Sequence, residues 1–344
     1  MATLRPMLLR GTRRELKVAS GAKRPVIAGH KLLYKCNLEC DMCPFWRRPD
    51  EKLLGVDDEV EIMESLVRAG VLFYGFEGGE PLLRRDLPQI LSESHKRFHT
   101  SLVTNGWLLK ERISEISESV ESIFVSLDGI GPLHDKLRGI VGSFDRAVQG
   151  IKSARDKVSL LAINCTITRS NIDQIGEMLR LAEELEVKIN FQPAYDYSKA
   201  GKLSPYGEKL EATLLSLLEA KRNGGPLLNS RESLTLIVNS WFHGIPWRCK
   251  PWLTINIDPQ GRIVLPCYTL QEYNGDPGNE KFAYYARDTD IPRLWDSYNW
   301  EEYEGCNKCA LSCYLETSVF SWTKPAVLKD RIVDSILSYS GIGV

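Results

Sequence analysis

Three cysteines near the start of the chain have a spacing that suits a metal centre. Cys36, Cys40 and Cys43 lie in the run CNLECDMC, directly after an apolar stretch that ends at Tyr34. Structural zinc sites and cubane iron–sulfur clusters normally take four protein ligands, so three thiolates leave one metal corner open. An open corner is where a metal centre binds a small molecule and acts on it. The spacing therefore predicts a reactive centre rather than a closed structural one.

A glycine pair and an acidic residue follow at the end of a second apolar run, in the segment FEGGEP at residues 76–81. Together with the CxxxCxxC spacing, this segment resembles the radical S-adenosylmethionine (SAM) superfamily. The resemblance implies that the three cysteines hold a [4Fe–4S] cluster whose free iron binds SAM. It also implies that Gly78, Gly79 and Glu80 contact the methionine amino group of SAM.

The same resemblance implies the reaction. An electron from a donor such as ferredoxin or flavodoxin passes through the cluster and breaks the S–C5′ bond of SAM. The resulting 5′-deoxyadenosyl radical then removes a hydrogen atom from an unactivated C–H bond of the substrate. The cofactor carries the hard chemical step, and the protein positions it and excludes side reactions.

Two details of the cysteine loop bear on this assignment. A zinc knuckle or scattered buried thiols would be the alternative, but no fourth Cys or His lies nearby, since His30 falls on the preceding strand. The residue before the third cysteine is usually aromatic in the family and packs near the adenine, whereas in this chain it is Met42. A thioether can make the same apolar contact, so we predict that Met42 contributes to cofactor binding. Phe45 and Trp46 either add aromatic surface or belong to the core.

The composition is that of an ordinary globular protein. The chain has 344 residues, of which 43% are hydrophobic and 26% charged, and its formal net charge is −1. This balance offers no electrostatic case for nucleic-acid binding. No stretch approaches the ~18 apolar residues of a membrane span, and no signal peptide is visible. Nine cysteines in such a chain favour metal ligation in a reducing compartment. We therefore expect a cytoplasmic protein.

A basic leader precedes the first motif, over residues 1–29. Its first twenty-four residues contain a single acid, Glu15, and seven basic residues: Arg5, Arg10, Arg13, Arg14, Lys17, Lys23 and Arg24. Leucine, methionine and valine are interleaved with them, so the segment could lie on an anionic membrane surface. A helix packed under the floor of the fold, with its basic residues in solvent, is the alternative that we favour slightly.

Apolar runs alternate with amphipathic stretches over residues 30–196, which is typical of parallel βα units. The predicted strands are Lys31–Tyr34, Val71–Phe76, Ser101–Thr104, Ser122–Ser126, Leu160–Ile167 and Lys188–Phe191. The predicted helices are Val56–Ala69, Asp86–Arg97, Lys110–Ser117, Phe144–Arg155 and Ile172–Leu185. Six strands cannot close as an eightfold barrel. The resemblance implies an α/β fold with a partial (β/α)6 barrel, open on one side to admit a large substrate.

Polar residues follow the carboxyl ends of the later strands, where parallel α/β folds bind their ligands. In the family these levels contact the ribose, carboxylate and adenine of SAM. The residues that we predict for these contacts are Asn105, Ser126, Asp128, Thr166 and Gln192. Arg138 could pair with the SAM carboxylate in a bidentate manner. The alternatives are turn chemistry at Asn-Gly and Asp-Gly, and an ordinary surface arginine.

A second cysteine group lies beyond residue 246, after a linker and two helical stretches over residues 197–245. Cys249 and Cys267 bracket two apolar runs separated by the turn DPQG at residues 258–261, which predicts a β-hairpin with its ends close together. Cys306, Cys309 and Cys313 follow, the first two in a CxxC turn. The hairpin pair and the CxxC pair would together supply four ligands.

This arrangement resembles the SPASM and twitch extensions of radical SAM enzymes, which hold auxiliary [4Fe–4S] clusters. Five cysteines are too few for two fully ligated clusters, so we expect one auxiliary [4Fe–4S] cluster in a domain spanning residues 246–344. Its expected ligands are Cys249, Cys267, Cys306 and Cys309, with Cys313 as a spare or as a replacement for Cys309. A four-cysteine zinc ribbon is the alternative. The spacing of apolar residues in the tail predicts a core-packing helix over Ala326–Val344.

The reaction type follows from the resemblance, and the substrate does not. The basic leader that runs into the cluster loop resembles the layout of hopanoid- and archaeal-lipid-modifying members, so an isoprenoid or membrane lipid, with C–C bond formation, is narrowly favoured. A ribosomally made peptide is the alternative, although no segment suggests a peptide-binding winged-helix module. A non-catalytic zinc-binding module is the hypothesis from another class. Tyr195, near the end of the sixth strand, is the one weak candidate for a catalytic residue.

Overall fold

The computed structural model describes residues 4–50, 52–197, 201–273 and 284–319. The predicted tail helix over Ala326–Val344 lies outside these described residues. Helices alternate with strands along most of the described chain. In chain order, the helices are α1 Leu4–Ala19, α2 Val56–Ala69, α3 Leu87–His95, α4 Leu109–Ile116, α5 Pro132–Arg138, α6 Ser143–Ala154, α7 Ile175–Glu184, α8 Gly207–Arg222, α9 Arg231–Phe242, α10 Tyr268–Tyr273, α11 Ile291–Ser297 and α12 Ser312–Val319.

The described strands form one eight-stranded sheet in the order β6-β5-β4-β3-β2-β1-β7-β8. They are β1 Ile27–Lys31, β2 Phe73–Glu77, β3 His99–Thr104, β4 Ser122–Ser126, β5 Leu160–Ile167, β6 Lys188–Pro193, β7 Thr254–Ile257 and β8 Ile263–Val264. Strands β1 to β6 pair in parallel with their sequence neighbours. This is the predicted α/β architecture of six βα units, and the fold prediction is confirmed.

The two faces of the sheet differ in chemistry because successive side chains of a strand point to opposite faces. On one face, large apolar side chains such as Tyr74 and Phe76 of β2 are fully buried in the main core. The alternate positions mix polar residues, such as Glu77 of β2 and Asn164 of β5, with apolar ones such as Val103 of β3 and Phe124 of β4. Cys165 of β5 is fully buried among the apolar set, as expected of a structural thiol. The inner face of the barrel is therefore more polar than the core face, with apolar residues among its polar ones.

Most predicted elements lie where the periodicity placed them, and β1 is the main correction. The predicted strand Lys31–Tyr34 was too late, because regular pairing with β2 runs over Ile27–Lys31. The sequence Leu32–Tyr34 continues that pairing irregularly, with the Leu32 N–H donating to the Glu77 carbonyl. Helix α5 was not predicted at all, since it is only seven residues long.

The predicted hairpin is present, but it does not form a sheet of its own. Strand β7 pairs in parallel with β1, with Ile27 opposite Thr254, and β8 pairs antiparallel with β7. The segment that carries the second cysteine group thus extends the barrel sheet. It places Cys249 and Cys267 beside the strand that leads into the first cysteine loop.

Helix α12 spans the side that the six parallel strands leave open. From its first turn, Ser312 accepts a hydrogen bond of 3.1 Å from Asn190 Nδ2 of β6. Tyr314 accepts one of 2.7 Å from Asn256 Nδ2 of β7. The lateral opening expected for a large substrate is therefore bridged by this helix. The carboxyl ends of the strands are left as the approach to the barrel.

Helix α1 of the basic leader packs at the amino ends of the strands. Arg14 is buried and donates to the carbonyls of Pro25 and Arg24, at 3.2 and 2.9 Å. The Arg10 guanidinium lies 5.2 Å from the centre of the Phe98 ring. These contacts fit the packed-helix alternative for the leader. In the described part of the chain, no helix is both long and apolar enough to cross a membrane.

Candidate functional site

The first cysteine loop leaves the carboxyl end of β1 and is held on two sides by backbone hydrogen bonds. The Glu39 and Asp41 N–H groups donate to the carbonyls of Arg138 and Leu137, at 3.2 and 3.3 Å. At the start of the loop, the Asp50 carboxylate accepts from the Lys35 N–H at 2.9 Å. Within the loop, Cys40 is buried, while Cys36 and Cys43 are partly exposed. The loop is thus fixed at its base, and two of its three thiols, those of Cys36 and Cys43, are partly exposed.

The glycine pair lets the chain after β2 press against the backbone that leads into this loop. The Gly79 N–H donates to the Leu33 carbonyl at 2.8 Å. A Cβ on Gly79 would lie 2.1 Å from the Lys35 carbonyl oxygen, and one on Gly78 would lie 2.4 Å from that of Leu33. Gly78 also has a φ of +142°. A side chain at either position would push the two segments apart.

Glu80 ties the ends of β2 and β3 together. It is fully buried, and its Oε1 accepts from the Leu82 N–H at 3.0 Å and from Thr104 Oγ1 at 2.8 Å. Its Oε2 accepts from the Asn105 N–H at 2.7 Å. Burial raises the pKa of Glu80 to about 6, against the lowering effect of these donors. Oε2 keeps a second acceptor position, so the predicted contact of Glu80 with a SAM amino group is compatible with this role.

Nitrogen donors surround the sulfur atoms of the loop. Asn105 Nδ2 lies 3.8 Å from Cys36 Sγ, and Arg138 Nη1 lies 3.7 Å from Cys40 Sγ. The Leu38 N–H also points at Cys36 Sγ, at 3.4 Å. Hydrogen bonds to the sulfur ligands are a main way in which proteins tune iron–sulfur clusters. The donor set of three thiolates with N–H partners therefore fits a [4Fe–4S] cluster with one open iron.

Arg138 and Asp128 form a buried ion pair behind Cys40. Arg138 Nη2 lies 2.5 Å from Asp128 Oδ2, and Asp128 Oδ1 accepts from the Thr166 N–H at 2.7 Å. Burial opposes the charge of Arg138, but Asp128 and Cys40 outweigh it and raise the pKa of the guanidinium. Both side chains thus have protein partners. Their predicted contacts with the SAM carboxylate and ribose stay predictions.

The remaining predicted SAM contacts lie around the same edge of the barrel. Met42, Ser126 and Thr166 are all partly buried. Asn105 is engaged by the loop, since its Nδ2 also donates to Asn37 Oδ1 at 2.8 Å. Gln192 accepts from the Ser312 N–H at 3.4 Å and so contacts α12. The structure brings Asn105, Asp128 and Arg138 to the cysteine loop and places Gln192 against the segment that closes the barrel.

Four of the five later cysteines share one apolar cavity. Its lining residues are Trp247, Cys249, Pro251, Cys267, Thr269, Leu270, Tyr303, Cys306, Cys309 and Tyr314. These four thiols are the expected ligands, and the Leu270 N–H donates to Cys267 Sγ at 3.5 Å. Burial raises the pKa of Cys267 to about 12. The cavity has the thiol donors and the apolar shell that an auxiliary iron–sulfur cluster would use.

The zinc alternative requires side chains that converge on a single metal ion. In the parts of the chain that the structure describes, no three His, Cys, Asp or Glu side chains are placed to share one metal ion. A zinc ribbon needs four ligands within about 2.3 Å of one ion. An auxiliary cluster and the zinc alternative would draw on the same four cysteines that line this cavity.

Phe45 and Tyr195, which the sequence analysis named, lie near four residues that it did not single out: Lys31, Glu77, Tyr197 and Tyr268. Tyr197 packs edge-on against Phe45, with ring centres 5.8 Å apart. Tyr268 contacts Phe45 at 5.6 Å, and Tyr195 contacts Tyr197 at 5.1 Å. Lys31 and Glu77 pair at 2.7 Å beneath them. The sequence signal for the ion pair was a charged residue at the end of each strand that leads into a motif, Lys31 in β1 and Glu77 in β2.

Comparison with known proteins agrees with this geometry. Residues 31–182 match the model of the Radical SAM superfamily, and residues 189–333 match a domain of unknown function, DUF3463. Residues 31–182 are therefore identified as a radical SAM domain. Such a domain implies a [4Fe–4S] cluster that binds SAM.

Relatives differ in what they act on. The chain is 30% identical over 207 residues to the Fe-coproporphyrin III synthase of Methanosarcina barkeri, covering 58% of this chain and only 50% of that enzyme. It is 24% identical over 298 residues to the PqqA peptide cyclase of Bradyrhizobium diazoefficiens, covering 81% of this chain and 77% of the cyclase. Streptococcus suis SuiB bound to S-adenosylmethionine is similar in structure, with a TM-score of 0.68 and 19% identity, over 85% of this chain and 71% of SuiB.

Proposed function

We propose that this protein is a radical SAM enzyme with one auxiliary [4Fe–4S] cluster that modifies a peptide. The observation that carries the proposal is the pair of cysteine sites at one barrel: a three-cysteine loop with sulfur-directed donors, and four cysteines around one apolar cavity. When bound, the first cluster and SAM supply reductive cleavage of SAM and hydrogen abstraction from a C–H bond. A low-potential donor such as ferredoxin or flavodoxin provides the electron.

The residues of the chain have defined parts in this proposal. Asn105 and Arg138 direct N–H groups at the thiolates and so stabilise their charge. Glu80 holds the ends of β2 and β3 in register, which keeps Gly78 and Gly79 against the loop. Met42 lines the approach to the cluster. Helix α12 closes the side of the barrel and limits the access of water to the reacting centre.

The chemistry of the barrel interior supports a polar substrate. Apart from Val103 and Phe124, the partly buried inward positions toward the carboxyl ends of the strands are mostly polar, which suits the hydrogen-bonding groups of a peptide. The polar positions are Glu77, Ser101, Ser126, Asn164, Thr166 and Gln192. A lipid chain would call for a long apolar tunnel.

One of the relatives points in the same direction. The cyclase of Bradyrhizobium diazoefficiens is named for a peptide, and it aligns over 81% of this chain. The synthase of Methanosarcina barkeri is named for a porphyrin and aligns over 58% of this chain. We therefore replace the favoured lipid substrate of the sequence analysis with its peptide alternative.

Substrate class can be tested with the reconstituted enzyme, SAM and reductant under anaerobic conditions. The two substrates are a small-peptide fraction and a lipid extract. Both are prepared from cells that make this protein and that were grown in deuterated medium. Deuterium transferred to 5′-deoxyadenosine from the peptide fraction supports the proposal. Transfer from the lipid fraction alone would overturn it. Protein without SAM, and protein lacking the three loop cysteines, provide the background.

A further inference from the structure

A buried cation lies between the two cysteine groups. The Lys31 side chain, at the end of β1, is only 6% exposed, and its Nζ lies 2.7 Å from Glu77 Oε1. The same ammonium lies 4.1 Å from the centre of the Phe45 ring and 4.6 Å from that of Tyr268. Two aromatic faces and one carboxylate therefore hold the charge in place.

Those two rings connect the cation to both candidate centres. Phe45 follows Cys43 by two residues, and Tyr268 follows Cys267 directly. Phe45 and Tyr268 belong to one small buried cluster, against which Cys43 packs.

Two other cations near the first cysteine loop, Arg138 and Arg48, differ from Lys31 in position or in burial. Arg138 lies on the opposite side of the loop, beside Cys40 and paired with Asp128. The Arg48 guanidinium approaches the Phe45 ring at 5.4 Å but is only partly buried. The Glu77 side chain is 35% exposed, so its negative charge is better solvated than the positive charge of Lys31. The buried cation is therefore the less screened member of the pair.

We propose that the Lys31–Glu77 pair sets the reduction potentials of the two clusters, with Lys31 raising them and Glu77 limiting the rise. Reduction adds negative charge to a cluster, and a nearby buried cation stabilises the reduced form. Lys31 and Glu77 are positioning residues, because they act on the centres through their charge. This inference rests on the proposed function, since it requires both clusters.

The test is a redox titration of the reconstituted protein, followed by electron paramagnetic resonance, in which each cluster is measured separately. Lys31→Met keeps the length of the side chain, removes the cation and leaves Glu77 unpaired, so both potentials should fall. Glu77→Gln is nearly isosteric and leaves Lys31 unpaired, so both potentials should rise. A tenfold change in the one-electron equilibrium corresponds to about 59 mV. Lys31→Arg keeps the charge and should restore values near wild type.

The outcomes separate this inference from the proposed function. Iron and sulfide equivalent to one cluster in the wild-type protein would overturn the proposed function. Two clusters whose potentials move in the same direction in Lys31→Met and Glu77→Gln would overturn the inference alone. So would a cluster that keeps its wild-type potential in both variants. If Lys31→Met does not assemble its clusters, Glu77→Gln carries the test, because it leaves the buried side chain in place.

Discussion

At the scale of single residues, the candidate SAM site depends on close approach as much as on ligands. The cysteine loop can leave β1 in its observed direction only because the chain after β2 carries no side chain at Gly78 and Gly79. Glu80 then accepts hydrogen bonds from three donors, two of which lie at the end of β3, and so holds that strand end beside the glycine pair. The family motif is thus a packing device in this chain, and this role does not depend on a bound ligand.

Substituting Gly79 tests that role. In Gly79→Ala, the new methyl group would lie 2.1 Å from the Lys35 carbonyl, so the loop must shift. We expect a loss of about 1–3 kcal/mol in stability and a loop that retains less iron. The measurements are the thermal midpoint and the iron content after anaerobic reconstitution. Gly176→Ala is the control: it lies in α7, the added Cβ would be 4.0 Å from the nearest atom, Arg180 Nη1, and the substitution should be neutral or slightly stabilising.

At the scale of elements, a buried polar network links α2, β1 and the turn after Glu80. His30 Nδ1 lies 2.7 Å from the Tyr74 hydroxyl and 3.4 Å from Glu59 Oε2, while Arg84 Nη1 donates to Glu59 Oε1 at 3.3 Å. Arg84 also pairs with Asp86 at 2.7 Å. The network supports the motif from the outer face of the sheet.

Within this network, His30 makes the fold less stable in acid, whereas the raised pKa of Glu59 makes it more stable as the pH falls from about 8 toward 4.5. Burial, helped by Arg84, lowers the pKa of His30 to about 3, whereas the unfolded chain binds the proton near 6.5. Burial raises the pKa of Glu59 to about 8, so below pH 6.5 its carboxyl is neutral and offers the imidazolium no counter-charge. The contribution of His30 is complete above pH 6.5 and declines as the pH falls toward 3. At pH 5 the loss is about 2 kcal/mol.

Thermal midpoints at pH 7 and pH 5 measure the contribution of His30. The change in midpoint from pH 7 to pH 5 should be less favourable in the wild-type protein than in His30→Gln. His243→Gln, at an exposed position, should change with pH as the wild-type protein does. The same pH response in His30→Gln and in the wild-type protein would show that His30 does not contribute in this way.

Helix α12 also has a structural role at this scale, since it is hydrogen-bonded to both β6 and β7. Tyr314→Phe removes the acceptor for Asn256 Nδ2 and leaves a buried donor without that partner. We expect a cost of about 1–3 kcal/mol and faster amide exchange in α12. Hydrogen-exchange mass spectrometry and the thermal midpoint provide the measurements. Tyr206→Phe, at a side chain that is 73% exposed, serves as the control.

At the scale of the whole molecule, one continuous sheet positions both cysteine groups. Pairing of β7 with β1 sets Cys249 and Cys267 beside the strand that leads into the first loop. The small aromatic cluster around Phe45 and Tyr268 then fills the space between the two groups. The separation of the centres is therefore a property of the barrel itself.

Cysteine substitutions test how the two groups divide the iron. Replacing Cys36, Cys40 and Cys43 with alanine should leave iron and sulfide for one cluster and abolish 5′-deoxyadenosine formation. Replacing the four cysteines of the cavity should leave the other cluster and its SAM cleavage. Cys313→Ala should keep both, because Cys313 is not among the residues that line the cavity. Loss of one cluster in Cys313→Ala would assign it as a ligand.

The sequence by itself determined the chemistry-bearing motifs and most regular elements. Strand Leu160–Ile167 and helix Val56–Ala69 were predicted with their observed bounds, because period-2 and period-3.6 patterns are local properties of the chain. The first cysteine loop and the glycine pair could be recognised because each is a short contiguous run. The order of six strands also follows from alternation along the chain.

Only the tertiary structure decided which distant residues meet. Arg138 pairs with Asp128 beside Cys40, β7 joins β1, α12 closes the barrel, and Lys31 lies between the two cysteine groups. Each contact joins segments whose relative placement depends on how the sheet curves and on what fills its open side. Side-chain pattern reports which face of an element is buried, but not which partner buries it. The two cysteine groups could be recognised in the sequence, and their placement relative to each other was decided by the fold.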